Sequence, residues 1–421
     1  MGTEGRRITI LTEYFHPEQA STAQLLTELA TGLEEGEYDV TVITGYPNYH
    51  DEDRGEQVPR RSEHEGVTVE RVRATRFDKD SIALRAINWL TFTVLAFLRV
   101  IRTRTGREPV LVLSNPPVSP LALWAAKRVR GTRYAYLIYD MYPDMPVGLG
   151  ILNGDGLLAR AWERAMRLVY RDADRIVVLG ESMERRLTEK MAEDPAFDPE
   201  KVRVIPNWED GGFISPKPKA NNEFAREHDL VEPFVLLYSG NIGRYHELRT
   251  AIRAIERLED RGRTDIELLV IGEGARKQEH REYVRRNDIE NVRFLPFQPK
   301  ERLPETLTAC DASLVGIEPE MEGMCVSSKL YSALAAGRPV LAVVAEGDEV
   351  ARVVREADCG AHVPSGDPDG AATVLSEWAD TPRTAEGLGE NARETFEHNY
   401  RKEHAVEAYR SLFEGFYADR M

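Results

Sequence analysis

Two places in this chain carry the residue types that could grip an anion. The first is EGMCVSSKLYSALAAG, residues 322–337, where a glycine-containing loop runs into good helix formers. Ser327 or Ser328 is placed to cap that helix, whose first N–H groups have no internal partners. Those donors and the helix dipole suit a phosphate, the dipole alone contributing about 0.3–1 kcal/mol. Lys329 would add a full charge at the same spot. The second place is SGNIGR, residues 239–244, where Gly240 and Gly243 flank Asn241 and Ile242 and lead to Arg244. Glycines at a strand-to-helix turn let backbone approach a phosphate, and the guanidinium can bind it in the same step. Taken singly, one stretch fits an ordinary capped helix and the other a plain tight turn.

The elements that position them change the balance. Phe234–Tyr238 reads as a buried strand followed by a helix around 248–258. Strands at Ile266–Ile271 and Val292–Leu295 end in Gly272-Glu273-Gly274 and Pro296-Phe297-Gln298. Phe297, with backbone groups beside it, offers a face for a flat base. A helix at Leu303–Ala309 and a strand at Ala312–Val315 lead back to residue 322. All four turns fall on the carboxyl rim of one parallel sheet, where ligands of such sheets bind.

The first half repeats the pattern. Arg7–Leu11 and Asp39–Thr44 read as strands around a helix near Ala23–Glu34, a βαβ unit. Further strands are expected at Val67–Val72, Val110–Ser114, Ala135–Tyr139 and Arg175–Leu179. The loops after them hold His16 to Ser21, Pro47 to Tyr49, Asn115 to Val118 and Asp140 to Asp144. No glycine lies between Ile8 and Thr31 and no GxxxxGK[ST] run occurs, so neither the dinucleotide turn nor a P-loop is available. Asp51-Glu52-Asp53 and Asp172-Ala173-Asp174 have the DxD form of metal-dependent sugar transferases; both read as solvated or structural, and no metal is expected. Val202–Asn207 is a strand stopped by Pro206, and a polar, proline-rich run to Asn222 reads as a linker between domains.

Composition narrows the class. A chain of 421 residues with 42% apolar and 30% charged residues forms two globular domains. A net charge of −16 argues against nucleic acid as a partner. Ten lysines among 55 basic residues, with a large acidic excess, resemble salt-adapted proteins. Cys310, Cys325 and Cys359 make neither a disulfide framework nor a zinc spacing, and a reducing, cytoplasmic setting without a signal peptide is expected. One region breaks the trend. Residues 71–107 hold nine basic and two acidic residues around the uncharged run Ala86–Leu98. That run is shorter than the roughly 20 residues of a membrane span. It reads equally as a core helix and as an interfacial helix resting Trp89 and Phe92 on anionic lipid.

In this order the motifs resemble the family 4 retaining glycosyltransferases of GT-B fold, in the branch that assembles surface glycans and O-antigen-like chains. YFHPEQAST, VIPNWED, YSGNIGRYHEL, VIGEG, VRFLPF and SSKLYSALAAGRPV carry the resemblance, over essentially the whole chain. It implies two Rossmann-like domains facing across a cleft: an acceptor domain at 1–207, a linker at 208–222 and a nucleotide-sugar domain at 223–399. A helix at Tyr400–Tyr417 would return to the first domain. It also implies transfer of a sugar with retention from a nucleoside-diphosphate sugar to a glycan or lipid-linked acceptor, with no further cofactor; the basic island at 71–107 makes contact with the inner membrane surface and a polyprenyl-linked acceptor an expectation of its own.

By the same resemblance Arg244 and Lys329 receive the departing diphosphate, and Glu322 approaches the donor sugar. Gly240, Asn241, Gly243, Gly272, Gly274, Phe297, Ser327, Ser328 and Ser332 line the donor site, while His16, Ser21, Asp140 and Asp144 are candidates for acceptor or sugar contacts. Departures from the family pattern fall on this site. Asn241 and His246 stand where an arginine and a lysine are usual, Ser332 where a second glutamate holds the ribose, and Ala20-Ser21 where a glycine pair is usual. A UDP-sugar 2-epimerase of the same architecture and a non-catalytic nucleotide-sugar-binding protein are the competing readings.

Overall fold

The computed structural model describes residues 6–18, 20–36, 38–47, 58–77, 81–103 and 108–418. The Asp51–Asp53 run and part of the Pro47–Tyr49 loop lie outside them. By its contacts the chain divides into two units, residues 1–206 with 402–421, and residues 207–401.

The first unit is built on eight strands: β1 (Arg6–Leu11), β2 (Tyr38–Thr44), β3 (Arg61–His64), β4 (Val67–Arg71), β5 (Val110–Leu113), β6 (Tyr134–Ile138), β7 (Arg175–Val178) and β8 (Val202–Val204). Their order is β3-β4-β2-β1-β5-β6-β7-β8, parallel except for the β3–β4 hairpin. Apolar runs such as Ile8, Ile10, Val40 and Val42 are fully enclosed because helices cover both faces. β3 has no apolar period, and RSEH gave no strand signal; its pairing follows from the Glu65-Gly66 turn, where both residues take positive φ. The helix Ser21–Glu35 buries Leu25, Leu26, Leu29 and Leu33. The last helix, Lys402–Ala418, packs on it, with Val406 seated against Gly32. Arg410 reaches the Gly32 carbonyl at 2.8 Å.

The uncharged run Ala86–Leu98 is the middle of a longer helix, Ile82–Thr103. Its inner face buries Asn88, Phe92, Thr93, Ala96 and Val100, and the Asn88 amide bonds both the N–H and the carbonyl of Phe77. Its outer face leaves Ile87, Leu90 and Val94 exposed, at a spacing that makes one stripe. Phe92, expected on lipid in the surface reading, is therefore in the core, and Trp89 is half-buried; the exposed stripe is made of other residues of the same helix. Among the described residues, Ala83–Arg102 is long and apolar enough to cross a membrane by length and composition.

The second unit has six strands, all parallel: β9 (Phe234–Ser239), β10 (Ile266–Ile271), β11 (Val292–Leu295), β12 (Ala312–Gly316), β13 (Val340–Val343) and β14 (Gly360–Val363), in the order β11-β10-β9-β12-β13-β14. Register fixes where they end. Ile271 lies beside both Ser239 and Leu295, and Gly316 beside Val343, so the following turns emerge at one level. The order reverses between β9 and β12, which opens the crevice typical of such sheets.

The proline-rich stretch after Asn207 is no free tether. Trp208 and Ile214 are buried within the second unit, and Asn222 is fully enclosed. The Asn222 side chain caps the helix Glu223–Glu227 through the Ala225 N–H at 3.0 Å and donates to the Glu305 carbonyl and Thr308 Oγ1. Asn222→Ala removes a cap and two buried hydrogen bonds, to the Glu305 carbonyl and to Thr308 Oγ1, a loss of about 2 kcal/mol. The expected result is a lower urea midpoint for the second unit, with far-UV circular dichroism unchanged in the absence of urea.

Candidate active site

The rim of the second sheet is closed by turns that touch backbone to backbone. Gly240 N–H bonds the Ile271 carbonyl at 2.9 Å, and Ile242 N–H bonds that of Glu273 at 2.8 Å. A Cβ on Gly272 would stand 1.9 Å from the Gly240 oxygen, and one on Gly274 would stand 2.3 Å from the Ile242 oxygen. Both glycines also hold positive φ, at 150° and 153°. Gly240, Asn241, Gly243, Gly272 and Gly274, predicted as separate turns, therefore form one nested surface.

Lys329 lies on that surface. Its Cε is 2.8 Å from the position a Gly240 Cβ would take, its Nζ is 5.0 Å from the centre of the Tyr238 ring, and Nζ is 3.1 Å from His246 Nε2. His246 is 4% exposed, and its Nδ1 accepts the Gly243 N–H at 3.0 Å. Burial pushes the imidazole down to about 2, with the Lys329 charge adding to the effect. Burial also pushes Lys329 down to about 8. Part of the lysine reaches solvent, but its amino group is packed among Tyr238, Gly240 and His246. The Arg244 guanidinium, two residues before His246, is exposed and makes no hydrogen bond or ion pair among the described residues.

The helix that follows, Lys329–Ala335, begins without the expected serine cap. Ser328 occupies the capping position with helical φ and ψ of −62° and −20°, and its side chain bonds no backbone N–H. A capping side chain needs extended backbone at that residue. Ser327 is buried, Ser328 exposed, and the N–H groups of Ser327, Ser328 and Lys329 donate to nothing among the described residues. One turn on, the Ser332 hydroxyl donates to Glu209 Oε2 at 2.6 Å. Glu209 is fixed by its N–H on the Tyr400 carbonyl and by the bridge to Arg401. A carboxylate thus stands where the sequence had only a serine. Nothing in the pattern of residues 202–222 linked Glu209 to residue 332. The link passes through a fold contact 123 positions long.

Glu322 is partly buried, its N–H on the Pro319 carbonyl, and Phe297 is 52% exposed just past β11. A cavity of about 250 Å³, lined by Glu247, Arg253, Glu318 and Ser365 among others, holds none of the predicted site residues.

Four candidates belong to the first unit. His16 follows β1, is exposed, stacks on His64 at 3.7 Å and accepts from Arg71 through its carbonyl. Burial, then the neighbouring His64 and Arg71, lower its pKa. Ser21 is exposed at the start of the first helix. Asp140 follows β6, and burial pushes its carboxyl up to about 6. No described group bonds that carboxyl. Asp144 is held in ion pairs by Lys190 and by Arg186 at 3.3 Å. Asp172 and Asp174 are likewise engaged, by Trp124, Arg128 and Arg171 and by Lys127 and the Tyr134 N–H.

Comparison with known proteins agrees with this geometry. The family described as "Glycosyl transferase 4-like domain" matches residues 22–208, and "Glycosyl transferases group 1" matches residues 220–395. The probable glycosyltransferase WbjE of Pseudomonas aeruginosa is 28% identical over 72% of each chain. The putative colanic acid biosynthesis glycosyl transferase WcaI of Escherichia coli K12 is 27% identical over 77% of this chain and 79% of its own length. Among solved structures, sucrose-phosphate synthase of Thermosynechococcus elongatus superposes with a TM-score of 0.77 at 16% identity, covering 98% of this chain and all of the other. HepE of Anabaena, in complex with UDP and glucose, gives 0.72 at 13% identity over 97% of this chain and all of its own. Two Rossmann-like units, the nested rim and the two family matches together place the chain in the family 4-type glycosyltransferases of GT-B fold.

Proposed function

We propose that the protein transfers a hexose-type sugar, with retention, from a nucleoside-diphosphate sugar to a glycan or polyprenyl-linked acceptor in surface-glycan assembly, without a metal ion. The observation that carries this reading is the group of donors on the second unit's rim that have no partner among the described residues, the Arg244 guanidinium and the N–H groups of residues 327–329, with Lys329 beside them on His246. Cleavage of the donor puts negative charge on the departing diphosphate, and fixed donors aimed at that charge are the largest source of rate available. The acceptor hydroxyl attacks the anomeric carbon on the face the diphosphate leaves, and its proton passes to the leaving oxygen. Glu322 accepts a sugar hydroxyl and Phe297 supports the base. A nucleotide-sugar donor is supported by HepE, solved with UDP and with UDP-glucose. Surface-glycan assembly is supported by the colanic acid role in the WcaI name and by WaaG, a structural neighbour described as involved in lipopolysaccharide biosynthesis.

The exposed stripe Ile87, Leu90 and Val94, with Phe77 45% exposed nearby, supports peripheral binding to the inner membrane surface. Arg73, Arg76 and Arg102 are exposed beside it, and Arg85 lies over Trp89. Arg71 and Arg99 take no part, being turned to internal partners and to Glu70.

Product analysis with candidate donors should give transfer, and neither epimerisation nor binding without turnover. Arg244→Ala and Glu322→Gln should each lower kcat/KM about 100-fold, roughly 2.7 kcal/mol, with the fold intact by circular dichroism. If Asp140 accepts a hydrogen bond from the acceptor, its carboxyl must be ionised. Activity should then rise with pH through about 6, and Asp140→Asn should flatten that limb. Leu90→Glu with Val94→Glu should abolish co-sedimentation with phosphatidylglycerol-containing vesicles while leaving turnover on a soluble acceptor unchanged.

A further inference from the structure

The hydrogen bonds around His246 fix a proton that the reaction scheme leaves unassigned. Gly243 N–H can only donate, so Nδ1, 3.0 Å away, must present its lone pair. A neutral imidazole with Nδ1 bare carries its hydrogen on Nε2. Nε2 faces Lys329 Nζ at 3.1 Å. An Nε2–H can bond there only to an amine with a lone pair, and an ammonium has none. Charging Lys329 therefore costs one of the two bonds: either the lysine turns away from Nε2, or the ring changes tautomer and Gly243 loses its acceptor.

We propose that His246 is a positioning residue for the donor diphosphate: in the unliganded protein it stabilises the uncharged form of Lys329, and diphosphate binding draws a proton from solvent onto that amine. The inference rests on the donor site proposed above. Other groups around Nζ do not supply a counter-charge. Tyr238, on β9, keeps its proton and donates it to the Asn241 carbonyl at 2.6 Å; burial raises its pKa. Cys325, in the loop before the helix, favours the charged lysine weakly through space. No ion pair to Lys329 is found among the described residues. An incoming diphosphate is then the anion that completes the site, and the amine swings from Nε2 to a phosphate oxygen as it takes up the proton.

The sign follows from the position of the lysine. With Lys329 at about 8 when unliganded and higher when bound, uptake is about 0.2 proton per site at pH 7.5 and about 0.9 at pH 9. Affinity falls up to about tenfold per pH unit above 8, until the bound lysine itself titrates. Both pH values lie above the ionisation of a terminal phosphate, near 6.

The test is isothermal titration of the whole protein with UDP, GDP and ADP at pH 7.5 and 9, each in two buffers of different ionisation enthalpy. Expected is a buffer-dependent enthalpy worth close to one proton at pH 9 and a small one at pH 7.5. Lys329→Arg, charged throughout, should bind with no uptake. His246→Gln, whose amide oxygen can accept from an ammonium, should take up less than half a proton at pH 9. Lost packing alone would change affinity but not the proton count. Uptake that persists in Lys329→Arg, or is absent from the wild type while it binds, overturns the proposal. Binding of none of the three nucleotides overturns the donor site and this inference with it. Free of any ligand, long-range 1H–15N correlation at pH 9 should show His246 as the Nε2–H tautomer; the Nδ1–H form would refute the assignment.

Discussion

Adjacent turns of the second sheet meet through main chain, and the shape of its carboxyl rim depends on that constraint. The carbonyls of Gly240 and Ile242 fill the space that side chains on Gly272 and Gly274 would need, and the Glu247 carbonyl stands 1.8 Å from where a Gly316 Cβ would be. Parallel strands ending at one level force their connections into a narrow band. Only turns stripped of Cβ atoms can nest there while keeping their hydrogen bonds to one another. That nesting sets Lys329 against Tyr238 and His246 and leaves Arg244 pointing outward.

Much of the frame was legible because burial imposes a simple code. Strands covered by helices read as largely apolar runs, so Ile266–Ile271 ends where expected, and so does the half-buried edge strand Val292–Leu295. β3 escaped because an edge strand of Arg, Ser, Glu and His has no core to report on. At the rim, the glycine turns could be placed from their neighbours in sequence. Contacts that depend on tertiary closure could not. Ser332 stands where a glutamate is usual, and Glu209, remote in sequence, is the carboxylate bonded to it. His246, at a position where lysine is usual, is a buried ring held between a backbone donor and an amine. The serine cap failed for a backbone reason that side-chain identity does not reveal.

Charge is distributed with similar economy. Many of the arginines are tied in ion pairs along helix faces and strand edges, as with Arg263 between Asp265 and Asp380. Exposed pairs of this kind add little stability individually. Against that background the Arg244 guanidinium, without a partner among the described residues on the rim of the second sheet, stands out, and so do exposed arginines near an apolar stripe in a chain of net charge −16.

The seating of the last helix bears on how the polypeptide matures. Residues 402–418 cover the Ser21–Glu35 helix, and Arg6 meets Glu414 across 408 positions of sequence. A ribosome releases the amino-terminal sheet long before the segment that covers it exists. The carboxyl-terminal unit, contiguous in sequence, can close first. A nascent chain therefore carries an apolar helix surface around Gly32 that stays bare until residues 402–418 have been made, and a chain stopped short of them would lack the cover of its first helix.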